Sequence, residues 1–127
     1  MHRSRLSTFV LDCKVPDLDR AADFWSRALG RAWRPDPDSD PKYRIIDSDA
    51  DEPLLLVQQV EHDSRIHLDI EADDLEAEAR RLEALGARRI AFIKRWIVME
   101  APTGQRFCIV NPQRGPLAGK KHTTEWP

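Results

Sequence analysis

Residues 65–87 read RIHLDIEADDLEAEARRLEALGA, and this stretch decides the fold. Its beginning alternates between polar and apolar side chains, which is the period of a half-buried β-strand. Asp74 then precedes apolar residues at helical spacing, and Gly86 ends that run. Such an order is typical of a capped amphipathic helix. The stretch therefore predicts one strand followed by one helix that packs on it.

The same layout occurs earlier in the chain. Residues 8–15 alternate as a strand, Asp17 supplies a helix start, and Gly30 ends the helical run. A shift of 57 positions places Leu11 on Leu68, with the neighbouring aspartates and the helix starts also in register. This favours an internal repeat of about half the chain, although two unrelated strand-helix units would share some of these features by coincidence.

Short strands are expected after each helix. The three prolines of residues 34–41 predict a loop, and residues 112–127 have no periodicity and are expected to form an arm or a disordered end, with Trp126 free to pack on a partner subunit. The predicted later strands are 43–46, 53–60, 87–93, 96–100 and 106–110.

Composition limits the classes of function. The chain has 127 residues, of which 41% are hydrophobic and 33% charged, with 20 Lys and Arg against 22 Asp and Glu and a net charge of -2. It offers no basic stripe, so nucleic-acid and membrane binding are not expected. No apolar run has the length of a signal peptide, so a cytoplasmic location is expected. The two cysteines have no metal-ligand spacing, and each is expected to be a small buried hydrophobe.

Strand alternation divides the side chains between two faces. The apolar side of each strand, including Ile66, Leu68 and Ile70, is expected to lie under a helix, and the other side to line a concave surface. A dense polar set on one surface indicates a small-molecule site. Cross-strand ion pairs on a solvated face, Arg65 with Asp69 and Arg106 with Asp12, are the alternative. The residues assigned to the concave surface are Asp12, Gln58, Arg65, His67, Asp69, Arg106 and Cys108.

His67 is the first candidate for chemistry on this surface, because imidazole is a ligand, an acid or a base near neutral pH. His62 and His122 are expected to be exposed to solvent. Aromatic side chains are candidates for the walls of a pocket, with plain packing as the alternative. These aromatic candidates are Trp33, Tyr43 and Trp96.

Taken together, these motifs resemble the vicinal oxygen chelate superfamily, in particular its glyoxalase-like domains. The resemblance is carried by LDCKVPDLDRAADFWSRALG at 11–30, RIHLDIEADDLEAEARRLEALGA at 65–87 and WIVMEAPTGQRFCIV at 96–110. It implies an α+β fold of two βαβββ modules, about 6–60 and 64–111, that form an eight-stranded, incompletely closed barrel. It also implies a single domain over 1–127, with 112–127 as a C-terminal tail, and a homodimer.

Metal-using members of this superfamily take ligands from the first and last strands of each module. The resemblance places these positions on Val10, Gln58, His67 and Cys108. Val10 carries no donor atom, and the remaining set suits neither an oxygen-rich metal site nor a site of two histidines and one carboxylate. Asp12 lies on the same face and would substitute only if the strand register differed. A catalytic divalent metal, and with it glyoxalase I or dioxygenase activity, is therefore not expected.

The first functional hypothesis is a metal-independent enzyme, a lyase or an isomerase, acting on a small molecule. His67 would serve as general acid and base, and Asp12 or Asp69 would orient it. Arg65 or Arg106 would hold an anionic or enolic oxygen.

The second hypothesis is a binding protein without catalysis, which resembles the bleomycin-resistance proteins that sequester antibiotics. The acidic segment 36–51, with Tyr43 and Trp33, suits a cationic drug, whereas Arg65 and Arg106 argue against one.

Overall fold

The computed structural model describes residues 1–36 and 41–127, and within them strands and two helices alternate. The α+β class predicted from the sequence is confirmed. The elements of the first half are β1 (His2–Cys13), α1 (Leu18–Leu29), β2 (Trp33–Pro35), β3 (Tyr43–Ile46) and β4 (Leu54–Gln59). Those of the second half are β5 (Arg65–Ala72), α2 (Leu75–Ala84), β6 (Arg88–Ile93), β7 (Trp96–Glu100), β8 (Arg106–Val110) and β9 (Thr124–Trp126).

The chain divides into two compact units, which we call the first unit (residues 8–67) and the second unit (residues 1–7 and 68–127). In the first unit the strands are hydrogen-bonded in the order β2, β3, β4, β1. In the second unit the order is β5, β8, β7, β6, and β9 pairs with the beginning of β1.

Each unit contains one parallel pair, β1 with β4 in the first unit and β5 with β8 in the second. Asp12 of β1 lies opposite Gln58 of β4, and Asp69 of β5 lies opposite Cys108 of β8. Parallel neighbours require a crossover connection, and α1 and α2 supply it. Since Asp12 and Asp69 are the residues that the 57-position shift matches, the two registers support the internal repeat.

Helix α1 begins and ends where the sequence predicts. The Asp17 carboxylate accepts hydrogen bonds from the backbone N–H groups of Asp19 and Arg20 at 3.0 and 3.3 Å, and Gly30 ends the helix with a φ of 70°. The helix buries Leu18 on a core cluster that it shares with residues of β1, β3 and β4. The other buried members of this cluster are Leu11, Cys13, Ile46 and Val57.

Helix α2 also begins as predicted, because the Asp74 carboxylate accepts a hydrogen bond from the Ala77 backbone N–H at 3.0 Å. It ends at Ala84, since Leu85 has already left helical geometry before Gly86. Its core cluster consists of Ala72, Ala79, Ile97, Met99 and Ile109. No helix among the described residues is long and apolar enough to cross a membrane.

Two expectations about apolar strand residues are wrong. Ile66 is 60% exposed and Leu68 is 40% exposed, although both were expected under a helix. In the second unit, α2 follows β5 directly and packs over Ala72 at the end of that strand. Alternation therefore predicts which side a residue faces but not whether a helix reaches it.

The proline-rich segment begins with a short strand. Arg34 and Pro35 belong to β2, which pairs with β3, so the expectation of a loop is wrong for these two residues. Proline is tolerated there because β2 is an edge strand. Residues 37–40 lie outside the described residues.

The C-terminal segment has a definite structure, which corrects the expectation of an arm or disordered end. Its strand β9 pairs antiparallel with β1, placing Trp126 opposite His2, and Leu117 is buried. The Trp126 indole donates a hydrogen bond to Ser4 Oγ at 2.9 Å, and the Arg81 guanidinium lies 3.7 Å from the Trp126 ring centre. Periodicity does not reveal such a segment, because its order depends on contacts with distant residues.

A buried ion pair connects the beginning of β1 with β5. Arg5 Nε donates to Glu71 Oε1 at 2.6 Å, and both side chains are almost fully buried. The other groups of the pair bond to the C-terminal segment, since Glu71 Oε2 accepts from the Gln113 backbone N–H and Arg5 donates to the Lys121 carbonyl. The pair therefore has the additional hydrogen bonds that a buried charge requires.

Replacing Glu71 with Gln leaves the buried Arg5 without its counter-charge. We expect Glu71→Gln to lower the free energy of unfolding by about 3–5 kcal/mol, measured by urea titration. The control is Glu125→Gln. Glu125 Oε1 lies 3.1 Å from Arg3 Nε, and the Glu125 side chain is 58% exposed. Glu125→Gln should lower the free energy of unfolding by less than about 1 kcal/mol. Equal losses in the two variants would contradict the role of the buried pair of Arg5 and Glu71 in stability.

A second buried carboxylate makes stability depend on pH. Burial raises the pKa of Glu78, but hydrogen bonds from Arg81, His2 and Ser4 outweigh burial and hold that pKa below its usual range. A lowered pKa in the folded state contributes stability that is complete above the unfolded pKa and is lost as the pH falls.

We therefore expect acid to destabilise the wild type more steeply than Glu78→Gln. The measurement is the free energy of unfolding by urea titration between about pH 6 and about pH 4, which spans the usual range of a glutamate pKa. Glu83→Gln on the exposed side of α2 is the control and should keep the wild-type slope. Identical slopes for wild type and Glu78→Gln would show that Glu78 does not carry this dependence.

Candidate functional site

The centre of the candidate site is the carboxylate of Asp12 on β1. Its neighbours Leu11 and Cys13 enter the core beneath α1, so strand alternation turns Asp12 to the opposite face of the sheet. The side chain of Asp12 is only 1% exposed. A buried carboxylate is costly unless hydrogen-bond donors or positive charges surround it.

His67 at the beginning of β5 supplies the main donor. Its Nδ1 lies 2.7 Å from Asp12 Oδ2, and the imidazole is 15% exposed. An ionised carboxylate only accepts hydrogen bonds, so Nδ1 carries the hydrogen and donates it. In the neutral ring Nε2 is then the basic atom, and Asp12 fixes both the tautomer and the ring orientation.

Two further cationic or ionisable groups face the same carboxylate oxygen. Arg65 Nε lies 3.7 Å and His62 Nε2 lies 3.9 Å from Asp12 Oδ2, beyond hydrogen-bond distance. Both side chains are about half-exposed. His62 Nδ1 donates to the Asp63 carbonyl at 2.8 Å. The other Asp12 oxygen, Oδ1, is buried and has no hydrogen-bond partner within residues 1–36 and 41–127.

Gln58 and Tyr43 extend this face of the first unit across β4 and β3. Gln58 pairs in register with Asp12 on one side and with Tyr43 on the other, so the three side chains share a face. The Gln58 amide nitrogen donates to the Tyr43 hydroxyl at 2.9 Å. Trp33 packs against the core cluster under α1, and its indole donates to Asp23 Oδ1 at 2.6 Å.

Four of the predicted site residues lie in the second unit. Asp69 and Cys108 are register partners between β5 and β8. Arg106 Nε donates to Glu100 Oε2 at 3.0 Å. Trp96 begins β7 beside Lys94, whose Nζ lies 5.9 Å from the Trp96 ring centre.

The ion pairs differ from the cross-strand pairs considered from sequence. Arg65 faces Asp12 and not Asp69, and Arg106 is bonded to Glu100. Hydrogen bonds from Arg88, which has the larger effect, and from Arg106 hold the pKa of Glu100 below its usual range. Sequence reasoning missed this carboxylate, although its pairing with Arg106 follows from the short turn between β7 and β8.

His62 is the other residue that sequence reasoning missed. It is exposed, as expected, but it also approaches Asp12. The signal for His62 in the sequence was its place in the turn before β5, five residues ahead of His67. A turn that leads into a strand carrying a functional residue places its own side chains near the same site.

Cys13, next to Asp12, is unsuited to nucleophilic chemistry. Burial raises the pKa of its thiol, and the neighbouring Asp12 charge raises that pKa further. A thiol is a much weaker nucleophile than a thiolate, so Cys13 acts as the small buried hydrophobe expected from sequence.

The sequence between residues 8 and 110 matches the family model described as a glyoxalase-like domain. The chain belongs to this family. The resemblance of the sequence to the vicinal oxygen chelate superfamily is thereby confirmed. No curated protein sequence matches this glyoxalase-like domain.

Solved structures share the fold of this glyoxalase-like domain. A methylmalonyl-CoA epimerase from Mycobacterium tuberculosis has 18% identity and a TM-score of 0.61, covering 86% of this chain and 88% of its own. A halotolerant catechol dioxygenase, BphC, has 18% identity and a TM-score of 0.57, covering 91% of this chain and 41% of its own. A hypothetical protein from Bacillus halodurans has 12% identity and a TM-score of 0.57, and the match covers 89% of this chain and 99% of that protein's chain. At such identities the likeness shows the fold of two βαβββ modules and nothing more.

The positions that the resemblance assigns to metal ligands do not together fit a metal centre. Val10 is 1% exposed and offers only methyl groups. The other three positions carry donor atoms in Gln58 Oε1, His67 Nε2 and Cys108 Sγ, so the set is one ligand short at Val10. One apolar position removes a ligand from the set, and the number of ligands largely decides metal affinity.

The hydrogen bond from His67 to Asp12 predicts one imidazole tautomer. In ¹⁵N-resolved NMR spectra, neutral His67 should carry its hydrogen on Nδ1, whereas free imidazole side chains prefer Nε2. Asp12→Asn should relax this preference, and the exposed His122 should keep the ordinary tautomer in both proteins. An Nε2–H tautomer of His67 in the wild type would contradict the assignment.

Proposed function

We propose that this glyoxalase-like domain is a metal-independent enzyme of the lyase or isomerase class that moves a proton on a small organic molecule. The observation that carries the proposal is the 2.7 Å hydrogen bond from His67 Nδ1 to the buried carboxylate of Asp12. With Nδ1 donating to Asp12, Nε2 is the ring atom that we propose takes a proton from substrate carbon and returns it at another position.

The surrounding residues supply the remaining functions in this proposal. Asp12 keeps the ring in one tautomer and stabilises the imidazolium that forms after proton abstraction. Arg65 provides positive charge for the oxygen of the resulting enolate. Asp69 follows His67 by two positions on β5 and is the second carboxylate proposed to support it. No step requires a metal, in keeping with Val10 at a ligand position.

The first test is hydrogen exchange from candidate carbon acids into D₂O, followed by proton NMR. The probes are methylmalonyl-CoA, the hemithioacetal of methylglyoxal and glutathione, and catechol as a probe of ring cleavage. We expect exchange or isomerisation by the wild type to survive metal chelation. His67→Ala should reduce it on the order of 10²–10⁴-fold, because general acid–base catalysis contributes about that factor.

Matched variants separate the alternatives. Asp12→Asn should lower turnover while the fold persists, and His122→Asn should leave turnover unchanged. Loss of activity on chelation, with restoration by a divalent metal, would overturn metal independence and make Gln58 and Cys108 the first positions to replace. Tight binding of an antibiotic such as bleomycin without product would favour the sequestering alternative.

The proposal extends to the setting of the enzyme. A homodimer, a cytoplasmic location and a small-molecule substrate are the setting in which we propose it acts. Size-exclusion chromatography with light scattering tests the dimer directly.

A further inference from the structure

The ionisable groups around Asp12 are ordered by depth in the first unit. Negative charge lies deepest, because the Asp12 side chain is 1% exposed, and His67 comes next at 15%. Arg65 and His62 lie at the surface, with side chains 48% and 43% exposed. The guanidinium of Arg65 therefore presents positive charge to solvent.

The contact between Arg65 and Asp12 leaves most of the guanidinium available. The nearest atom to the carboxylate is Nε, at 3.7 Å, which is ion-pair distance without a hydrogen bond. Within the described residues the Arg65 guanidinium donates no hydrogen bond, so its two terminal NH₂ groups still have their donors. The paired NH₂ donors of arginine match the two oxygens of a carboxylate.

His62 flanks the same surface. Its Nδ1 is committed to the Asp63 carbonyl, so Nε2 is the ring atom that can meet a ligand beside Arg65. Arg65 and His67 are two positions apart on one face of β5, a separation of about 6.7 Å along a strand. This distance leaves room for a carboxylate at Arg65 and a neighbouring C–H group at His67.

We propose that Arg65, flanked by His62, is a carboxylate-binding subsite, and that the substrate is a small carboxylic acid with an acidic hydrogen next to the acid group. This inference rests on the proposed function for the position of the reacting hydrogen. Arginine pairs bidentately with carboxylate and with phosphate, but phosphate sites commonly add the backbone N–H groups of a helix N-terminus, and Arg65 lies on a strand. The buried carboxylate of Asp12 attracts the Arg65 guanidinium and so keeps it at this position.

The test is titration with malonate at constant ionic strength, followed through the Nε–H signals of arginine in ¹⁵N-resolved NMR. Malonamide is the neutral isostere, and inorganic phosphate is the tetrahedral anion. We expect malonate to shift the Arg65 signal saturably and malonamide to leave it unchanged. Phosphate should bind at least several-fold more weakly than malonate.

Variants identify the groups that bind malonate. Followed through the backbone N–H signals of β5, which every variant retains, Arg65→Gln should weaken malonate binding at least tenfold, Arg65→Lys less than that, and His62→Asn several-fold. Arg34→Gln is the matched control, because Arg34 has a similar exposure of 55% and one 3.5 Å contact with Asp47. It should bind malonate as the wild type does, and thermal melting should show that all variants are folded.

His67→Ala distinguishes this inference from the proposed function. The variant should still bind malonate, since His67 is not the anion-holding group. Equal binding of malonamide, equal binding by Arg65→Gln, or an equal loss in Arg34→Gln would overturn the subsite. If malonate failed to bind while exchange still depended on His67, the subsite would be wrong and the proposed function would stand. Binding at Arg65 without His67-dependent exchange would support the subsite and contradict the proposed function.

Discussion

The parallel pairing of β1 with β4 and of β5 with β8 is the constraint on which the rest of the structure depends. Such a pair cannot be joined by a tight turn, so the chain crosses over through α1 or α2. The helix covers one face of its strands and the opposite face stays available for polar side chains. Asp12 with Gln58, and Asp69 with Cys108, occupy that second face because their registers are fixed by this pairing.

Most of the fold was predictable because it follows from local signals. Asp17 and Asp74 cap helices through their own backbone neighbours, and Gly30 ends α1 as its position in the sequence predicts. The exposure of Ile66 and the burial of Leu117 were not predictable, because each depends on whether a distant segment covers the residue. Sequence periodicity carries no information on that point.

The candidate site also has features that the sequence predicts and features that it does not. The face that Asp12, Gln58 and His67 occupy follows from strand alternation, but the partner of each charge does not. Which cation meets which carboxylate depends on register between strands and on turns, as Arg106 with Glu100 and His62 with Asp12 show. The buried Asp12 also has a cost, since Oδ1 lacks a hydrogen-bond partner among the described residues. A cost of this kind is more readily understood in a functional site than in a purely structural one.

The pairing of His2 with Trp126 places the two ends of the described chain side by side in the second unit. For the stretch 1–127 on its own, neighbouring ends allow circular permutation, with a short linker joining residue 127 to residue 1 and new ends opened in an exposed turn. The turn between β3 and β4, near Asp49, is a suitable opening. In such a permutant the strand pairing of β1 with β9 would become a hairpin, and the parallel pair of β1 and β4 would no longer be joined through α1.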